Sequence, residues 1–297
     1  MQTVESLKRK IKSAQDLQSV VRTMKALAAV SIRQYQKAVE SLIEYNKTVE
    51  MGLQVALKQK LDSTGSIATL PLQRLGAIVF GSDQGLCGQL NEQIATHALR
   101  EMGALRVGRD EREVITVGQR VNDYIEDGGQ TVAENLTNPS STAGITPMVQ
   151  DIITILEEWH VRRRIDHVYL FYNEYLTGAS YRPHTVHLLP VDRVFLETLA
   201  KGKWPSKILP AFTMDWNVLF TGLIREYLFV SLYRAFAESL ASENASRLAS
   251  MQNAEKNIEE RLQELFGQFH RQRQMTITEE LLDIVSGFEA LEEKKSS

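Results

Sequence analysis

Through the first 60 residues, apolar side chains recur at steps of three and four, the spacing of a coiled-coil seam. Heptad position a falls at Val4, Ile11, Gln18, Lys25, Ile32, Val39, Asn46 and Leu53. Position d then falls at Leu7, Ala14, Val21, Ala28, Tyr35, Leu42, Val49 and Ala56, and 13 of the 16 positions are apolar. About 57 residues at 1.5 Å each predict a helix of roughly 85 Å. A second seam runs through Leu223, Tyr227, Val230, Arg234, Ala237, Ala241, Asn244, Leu248, Met251, Glu255, Ile258, Leu262, Leu265 and Phe269, with 11 of 14 apolar. Its phase then slips, and Met275, Leu282 and Val285 carry it on; such a stutter locally unwinds a supercoil. Gly267 weakens this helix by about 1 kcal/mol relative to alanine, and Gly287 with the tail 292–297 predicts fraying. Neither helix can bury its stripe alone. The simplest solution pairs the two, antiparallel because the segment between them returns the chain. A larger helical bundle would also bury both stripes, but the middle has another periodicity.

That middle alternates strands and helices. Leu75–Phe80 (LGAIVF) is a short apolar, β-branched run that reads as a buried strand. Further strands are predicted at 113–117, 165–172 and 185–189, and helices at 88–102 and 147–163. Segment 135–144 (NLTNPSSTAG) is a loop by composition. The alternation predicts a mostly parallel, doubly wound α/β sheet.

Composition sharpens this division. All seven prolines lie between Pro71 and Pro210, so both ends lack the residue that most strongly breaks a helix interior. Residues 1–60 hold 11 Lys/Arg against 5 Asp/Glu, and residues 211–297 hold 9 against 14. A basic first helix thus faces an acidic last one, within a net charge of −3. Of the 297 residues, 24% are charged and 43% hydrophobic, the balance of a soluble protein. No apolar run approaches the roughly 20 residues of a membrane span, and the charged start MQTVESLKRK carries no leader-like apolar stretch. A single cysteine, Cys87, excludes an internal disulfide and a cysteine-based zinc cluster, and fits a reducing compartment.

Candidate chemistry is sparse. Residues 81–88 (GSDQGLCG) join a strand to a helix, and glycines there can bring helix N-terminal amides to a phosphate. The spacing is not GxGxxG, no ribose-binding acid is placed, and neither GxxxxGK[ST] nor GxSxG occurs. A tight strand-to-helix turn, with Gly81, Gly85 and Gly88 as structural glycines and Cys87 as a small buried side chain, accounts for it better. His184 and His187, three apart on a strand, point to opposite faces, which is poor geometry for a shared metal. The basic run Lys8, Arg9, Lys10 and Lys12 has no interleaved aromatics, so it predicts no nucleic-acid partner. The residues themselves assign no catalytic group, cofactor site or metal.

Three separated stretches then matter together: SLKRKIKSAQDLQSVVRTMKALAAVSIR (6–33), SDQGLCGQLN (82–91), and the pair SENASRLASMQNAEKN (242–257) and RQRQMTITEELLDIVSGFEAL (271–291). In this order the sequence resembles the γ subunits of F-type ATP synthases, as a divergent bacterial member. The resemblance implies a long antiparallel two-helix coiled coil with an inserted Rossmann-like α/β domain: a helix over 1–62, the domain over 72–210, and a helix over 211–290 pairing with the first. It also implies a non-catalytic rotor shaft without cofactor. Such a shaft stands inside a ring of three α and three β subunits, beside an ε subunit and a membrane c-ring, on the cytoplasmic face of the bacterial inner membrane. Ion flow through the membrane ring would be coupled to ATP synthesis or hydrolysis at the ring's sites.

By the same resemblance, Met24, Lys25, Arg247, Gln274, Thr278 and Glu280 are expected at subunit-coupling contacts. Small residues Ala26, Ala28 and Ala29 would allow close helix approach, and the basic first helix would face acidic loops of the ring. Two departures stand out: Gln84 replaces the family's usual arginine, and Lys25 a common glutamate after Met24. The competing expectation is an α/β enzyme that binds a nucleotide at 81–88 and dimerises through a coiled-coil arm.

Overall fold

The computed structural model describes residues 3–60, 72–178 and 180–293. The chain forms two compact units, Met1–Leu27 with Ala249–Ser297, and Ala28–Leu248. The helices α1 (Val4–Lys60) and α6 (Trp216–Glu293) each contribute to both. None of the described helices is long and apolar enough to cross a membrane.

In the first unit α1 and α6 run antiparallel. Leu7 and Ile11 are buried in one cluster with Leu262 and Leu265, flanked by Ala14, Ile258 and Phe269. Further along α1, Arg22 and Lys25 meet Glu255, earlier on α6. Leu7, Ile11, Leu262 and Leu265 are predicted seam positions, buried because an apolar stripe is stable only when another covers it. The expected continuation of the α6 seam is corrected: Met275, Leu282 and Val285 are exposed. Helix α6 nevertheless remains unbroken through Gly267.

The second unit holds the sheet. Strands β1 (Leu75–Phe80), β2 (Arg112–Val117), β3 (Glu134–Leu136), β4 (His167–Tyr175) and β5 (Tyr181–Leu189) lie in the order β3-β2-β1-β4-β5. The first four are parallel; β5 returns antiparallel along β4. Strand β1 is central and buried at all six residues, which explains its uninterrupted apolar sequence. Alternate residues serve opposite faces. Ile78, Phe80, Ile115, Val117, Leu170 and Tyr172 pack against α4 (Ile145–Glu158) and the first part of α6. Ala77, Val79, Val114 and Phe171 pack against α2 (Leu90–Ala104) and α3 (Gln119–Asp127). Helix α4 ends in a π turn, Trp159–Arg163, so the predicted helix 147–163 is regular only to Glu158.

The lower parts of α1 and α6 also run antiparallel here. Val49 and Leu53 cluster with Val230 and Leu223, the Tyr45 hydroxyl donates to Glu226, and the Trp216 indole donates to the Ala56 carbonyl at 2.8 Å. Beside them, α5 (Arg193–Lys201) is capped by Asp192, which accepts from the Val194 amide, and the Gly202 carbonyl accepts from Gln54 and Lys58 of α1.

Candidate functional site

Moving outward from β1, the chain visits β2 and β3 on one side and β4 on the other. The order therefore reverses between β1 and β4, and in an open α/β sheet the crevice at the carboxyl ends of such strands is where ligands bind. Residues 81–88 sit at this place.

Here the crevice is filled by the chain itself. Asn91, at the start of α2, accepts from the Ser82 amide at 2.9 Å and donates to the Ser82 hydroxyl at 2.8 Å. Its amide nitrogen also lies 3.4 Å from the Cys87 sulfur, and the Ser82 hydroxyl donates to the Gln84 carbonyl at 2.8 Å. Asp83 accepts from the backbone amides of Gln119 and Asn138, and Asn138 donates to the Gly81 carbonyl. Gly81 is required by space, since a Cβ there would lie 2.4 Å from Cβ of Val121, whereas one on Gly85 would meet nothing within 4 Å. Gly88 has φ of 56°, and α2 begins at Leu90, two residues later than predicted. Cys87 is buried as expected, but in polar company, with Ser82 and Asn91 against its sulfur.

The remaining space is taken by α6. Its stretch 238–247 looks polar in sequence, yet Glu238, Ser239, Ser242, Glu243 and Ser246 are all buried. The Ser242 hydroxyl donates to the Asn173 carbonyl of β4 at 2.8 Å, and the Ser246 hydroxyl to the Cys87 carbonyl at 2.6 Å. Phe236, fully buried, meets Phe80 edge-on at 4.9 Å between ring centres. Arg247 donates to Glu243 at 2.6 Å one turn back. Burial pushes the Glu243 carboxyl pKa up; Arg247 opposes the rise and Asp83 adds to it. These side chains occupy the part of the crevice that a ligand at the ends of β1 and β4 would enter.

The expected contact residues fall into two groups. Lys25 is ion-paired to Glu255, and Arg247 is largely buried on Glu243; both are engaged within the chain. Met24 lies on an open face of α1, beside Leu17, Val20 and Leu27, which are 54%, 55% and 63% exposed. Gln274 and Thr278 share one face of α6 with Arg271 and Met275, and Glu280 is exposed. Of the three alanines, Ala28 is buried and Ala26 exposed, so Ala26 does not serve close approach. His184 packs edge-on against Tyr172 while His187 stacks on Tyr169, on opposite faces of the sheet. Sequence reasoning missed Asn91, Asn173, Ser242, Ser246 and Glu255 as organising residues. The available signal was serines recurring at helical spacing along what proves to be a core-facing side of α6.

A family model described as ATP synthase matches residues 3–291, and the chain belongs to that family. Its relatives include the ATP synthase gamma chain of Pelotomaculum thermopropionicum, 29% identical over 293 residues spanning 98% of this chain and 100% of that one. The ATP synthase gamma chain of Desulfitobacterium hafniense is 29% identical over 298 residues, with the same coverage of each chain. The fold is shared with a chain of the Euglena gracilis mitochondrial ATP synthase, OSCP/F1/c-ring, rotational state 3. That match has a TM-score of 0.66 at 18% identity and covers 99% of this chain and 96% of that one. A chain from the Tetrahymena thermophila central stalk and c-ring gives 0.57 at 21% identity, covering 79% and 99%.

Proposed function

We propose that this chain is the γ subunit, the central rotor shaft, of a bacterial F-type ATP synthase. It performs no bond chemistry. It carries torque between an ion-driven c-ring and a ring of three α and three β subunits, with an ε subunit at its base, on the cytoplasmic face of the inner membrane. The observation that carries this reading is α6. One unbroken helix of 78 residues plugs the crevice of the α/β domain near its start and pairs with α1 further on. A continuous helix seated by buried hydrogen bonds and aromatic packing is a stiff element, whereas a linker would absorb rotation as bending.

In this role Met24 with the exposed Leu17, Val20 and Leu27, and Gln274, Thr278 and Glu280 on α6, face the surrounding ring. Lys25 and Arg247 act through their partners in the chain. Each catalytic site is shifted only by the difference in contact free energy between its states, so the shaft must present unlike faces in turn. An apolar stripe on α1 and a mixed face on α6, where Gln274 and Thr278 stand beside the exposed Met275, satisfy that need. The exposed Val194, Ile208 and Val218, on or near α5 and the start of α6, are the apolar surface that this reading offers to the membrane ring and ε.

Co-expression with α and β subunits tests the assignment. Recovery of an ATPase with one copy of this chain per three αβ pairs supports it; failure to join any such ring overturns it. Reversing Lys8, Arg9 and Lys10 to glutamate should lower coupled synthesis if the basic helix faces acidic ring loops.

A further inference from the structure

Apolar seams are non-directional, so two apolar stripes slid past one another by a heptad remain apolar on apolar. In the second unit, register is aided by the bonds from Tyr45 to Glu226 and from Trp216 to the Ala56 carbonyl; in the first unit it must come from positions that break the apolar pattern. Three polar seam residues bond within their own helix: Asn46 to Glu50, Arg234 to Glu238, and Asn244 to the Leu240 carbonyl. Two others meet across the pair. Glu255 of α6 accepts from Lys25 of α1 on one oxygen and from Arg22 Nε on the other, at 2.7 Å. Arg22 and Lys25 are three apart on α1, so one carboxylate is held by two cations from a single face of the opposite helix. The Glu255 and Lys25 side chains are 18% and 34% exposed and that of Arg22 59%, so the Lys25 contact is partly shielded and the Arg22 contact open to solvent.

We infer that Glu255, with Lys25 and Arg22, forms a register clasp that fixes how far α1 and α6 may slide along each other. The functional part rests on the rotor-shaft reading. A slip of one heptad would set Lys25 against the Leu262 position of the seam and strip Glu255 of both cations, while most other seam positions would still meet an apolar residue. A single charged or polar seam residue specifies register in coiled coils at some cost in stability. The clasp adjoins Met24, so it also fixes the height and facing of the stripe Leu17, Val20, Met24 and Leu27. Lys25 is thereby a positioning residue, turned toward its own partner helix, and its sign reversal from the common glutamate is matched by an acid on α6.

Two arms test this. In the first, the full chain is assembled with its α, β and membrane partners, and ions pumped per ATP hydrolysed are measured beside ATPase turnover. The variant Lys25→Met/Glu255→Leu makes the seam wholly apolar here, so its thermal stability should hold or rise. Its coupling ratio should still fall, by about threefold, with turnover changed less than about twofold, because the helices occupy more than one register. The swap Lys25→Glu/Glu255→Lys should restore most of the coupling that Glu255→Gln alone loses. Full coupling in the apolar variant, or no rescue by the swap, overturns the clasp. In the second arm, thermal unfolding of the full chain alone gives a double-mutant cycle for Lys25→Gln and Glu255→Gln. Non-additive losses that shrink in high salt support the clasp, and simple additivity overturns it. This arm reads the clasp even if no complex forms, so failure of the clasp and failure of the rotor assignment are told apart.

Discussion

Truncating Phe236 to alanine tests whether α6 is truly seated in the α/β domain. Phe236 is fully buried, its ring edge-on to Phe80, which in turn meets Tyr172 at 6.4 Å. Removing the ring forfeits its transfer free energy and leaves a cavity, together about 3–5 kcal/mol. The lost edge-to-face contact accounts for about 0.5–1.5 kcal/mol more where it is not already counted. A working figure is therefore about 4 kcal/mol, which for a unit of this size lowers the melting temperature by roughly 8–16 °C. Urea unfolding followed by tryptophan fluorescence reads the loss directly, with Phe236→Leu as a control that keeps most of the volume and costs under about 1.5 kcal/mol. A loss below about 1.5 kcal/mol for the alanine variant would refute the reasoning, because a ring so placed could not be leaving a cavity. Its expected companion is weaker coupling in the assembled complex, since the helix would then be held by Ser242, Ser246 and smaller apolar contacts.

Three further outcomes follow from the turn and the crevice. Asn91→Ala removes the acceptor of the Ser82 amide and the donor to its hydroxyl, so stability should fall by about 2–3 kcal/mol and the Cys87 thiol should react faster with an aromatic disulfide reagent. Gly81→Ala should fold poorly, its Cβ pressing on Val121, while Gly85→Ala should match the parent in a melt. Glu243 has a pKa raised above its ordinary 4.5, so the native state holds its proton longer than the unfolded one. The sign follows: stability linked to this group is full below pH 4.5 and is lost as pH rises toward the native pKa. The stability difference between the parent and Glu243→Gln, measured by unfolding across that range, should accordingly shift against the parent as pH rises.

Strand β1 was legible because both of its faces are buried, so a solid apolar run is all that such a strand can be. The seam of α1 was legible for the complementary reason: its burial is periodic, and Leu7, Val21, Ala28, Tyr35, Val49 and Ala56 are buried at the heptad interval. Short elements escaped. Strand β3 has three residues, none fully buried, lies at the sheet edge, and overlaps the start of a stretch read from its composition as loop. Helix α3 has nine residues and buries only Val121, Asn122 and Ile125. Strand β5 starts four residues earlier than expected because pairing with β4, through Tyr175 and Tyr181, extends it past its apolar core. The polar stretch of α6 was the deepest gap. Whether Ser242 and Ser246 face water or protein is decided by the Asn173 and Cys87 carbonyls, far away in sequence, and no local pattern encodes them. Glu255 was visible as a break in a seam, but its meaning required the other helix.

The filled crevice at the reversal of the sheet has a mechanical meaning. A ligand crevice has two conditions, empty and occupied, and a protein that uses one changes shape with the supply of the ligand. A crevice stoppered by the protein's own helix has a single condition. The grip of the domain on α6 is then indifferent to the concentrations of nucleotide and phosphate that the surrounding machine makes and consumes. It is equally indifferent to the direction of turning, because buried hydrogen bonds and interlocked rings resist twist alike in either sense. The joint contributes no slack that varies with metabolic state.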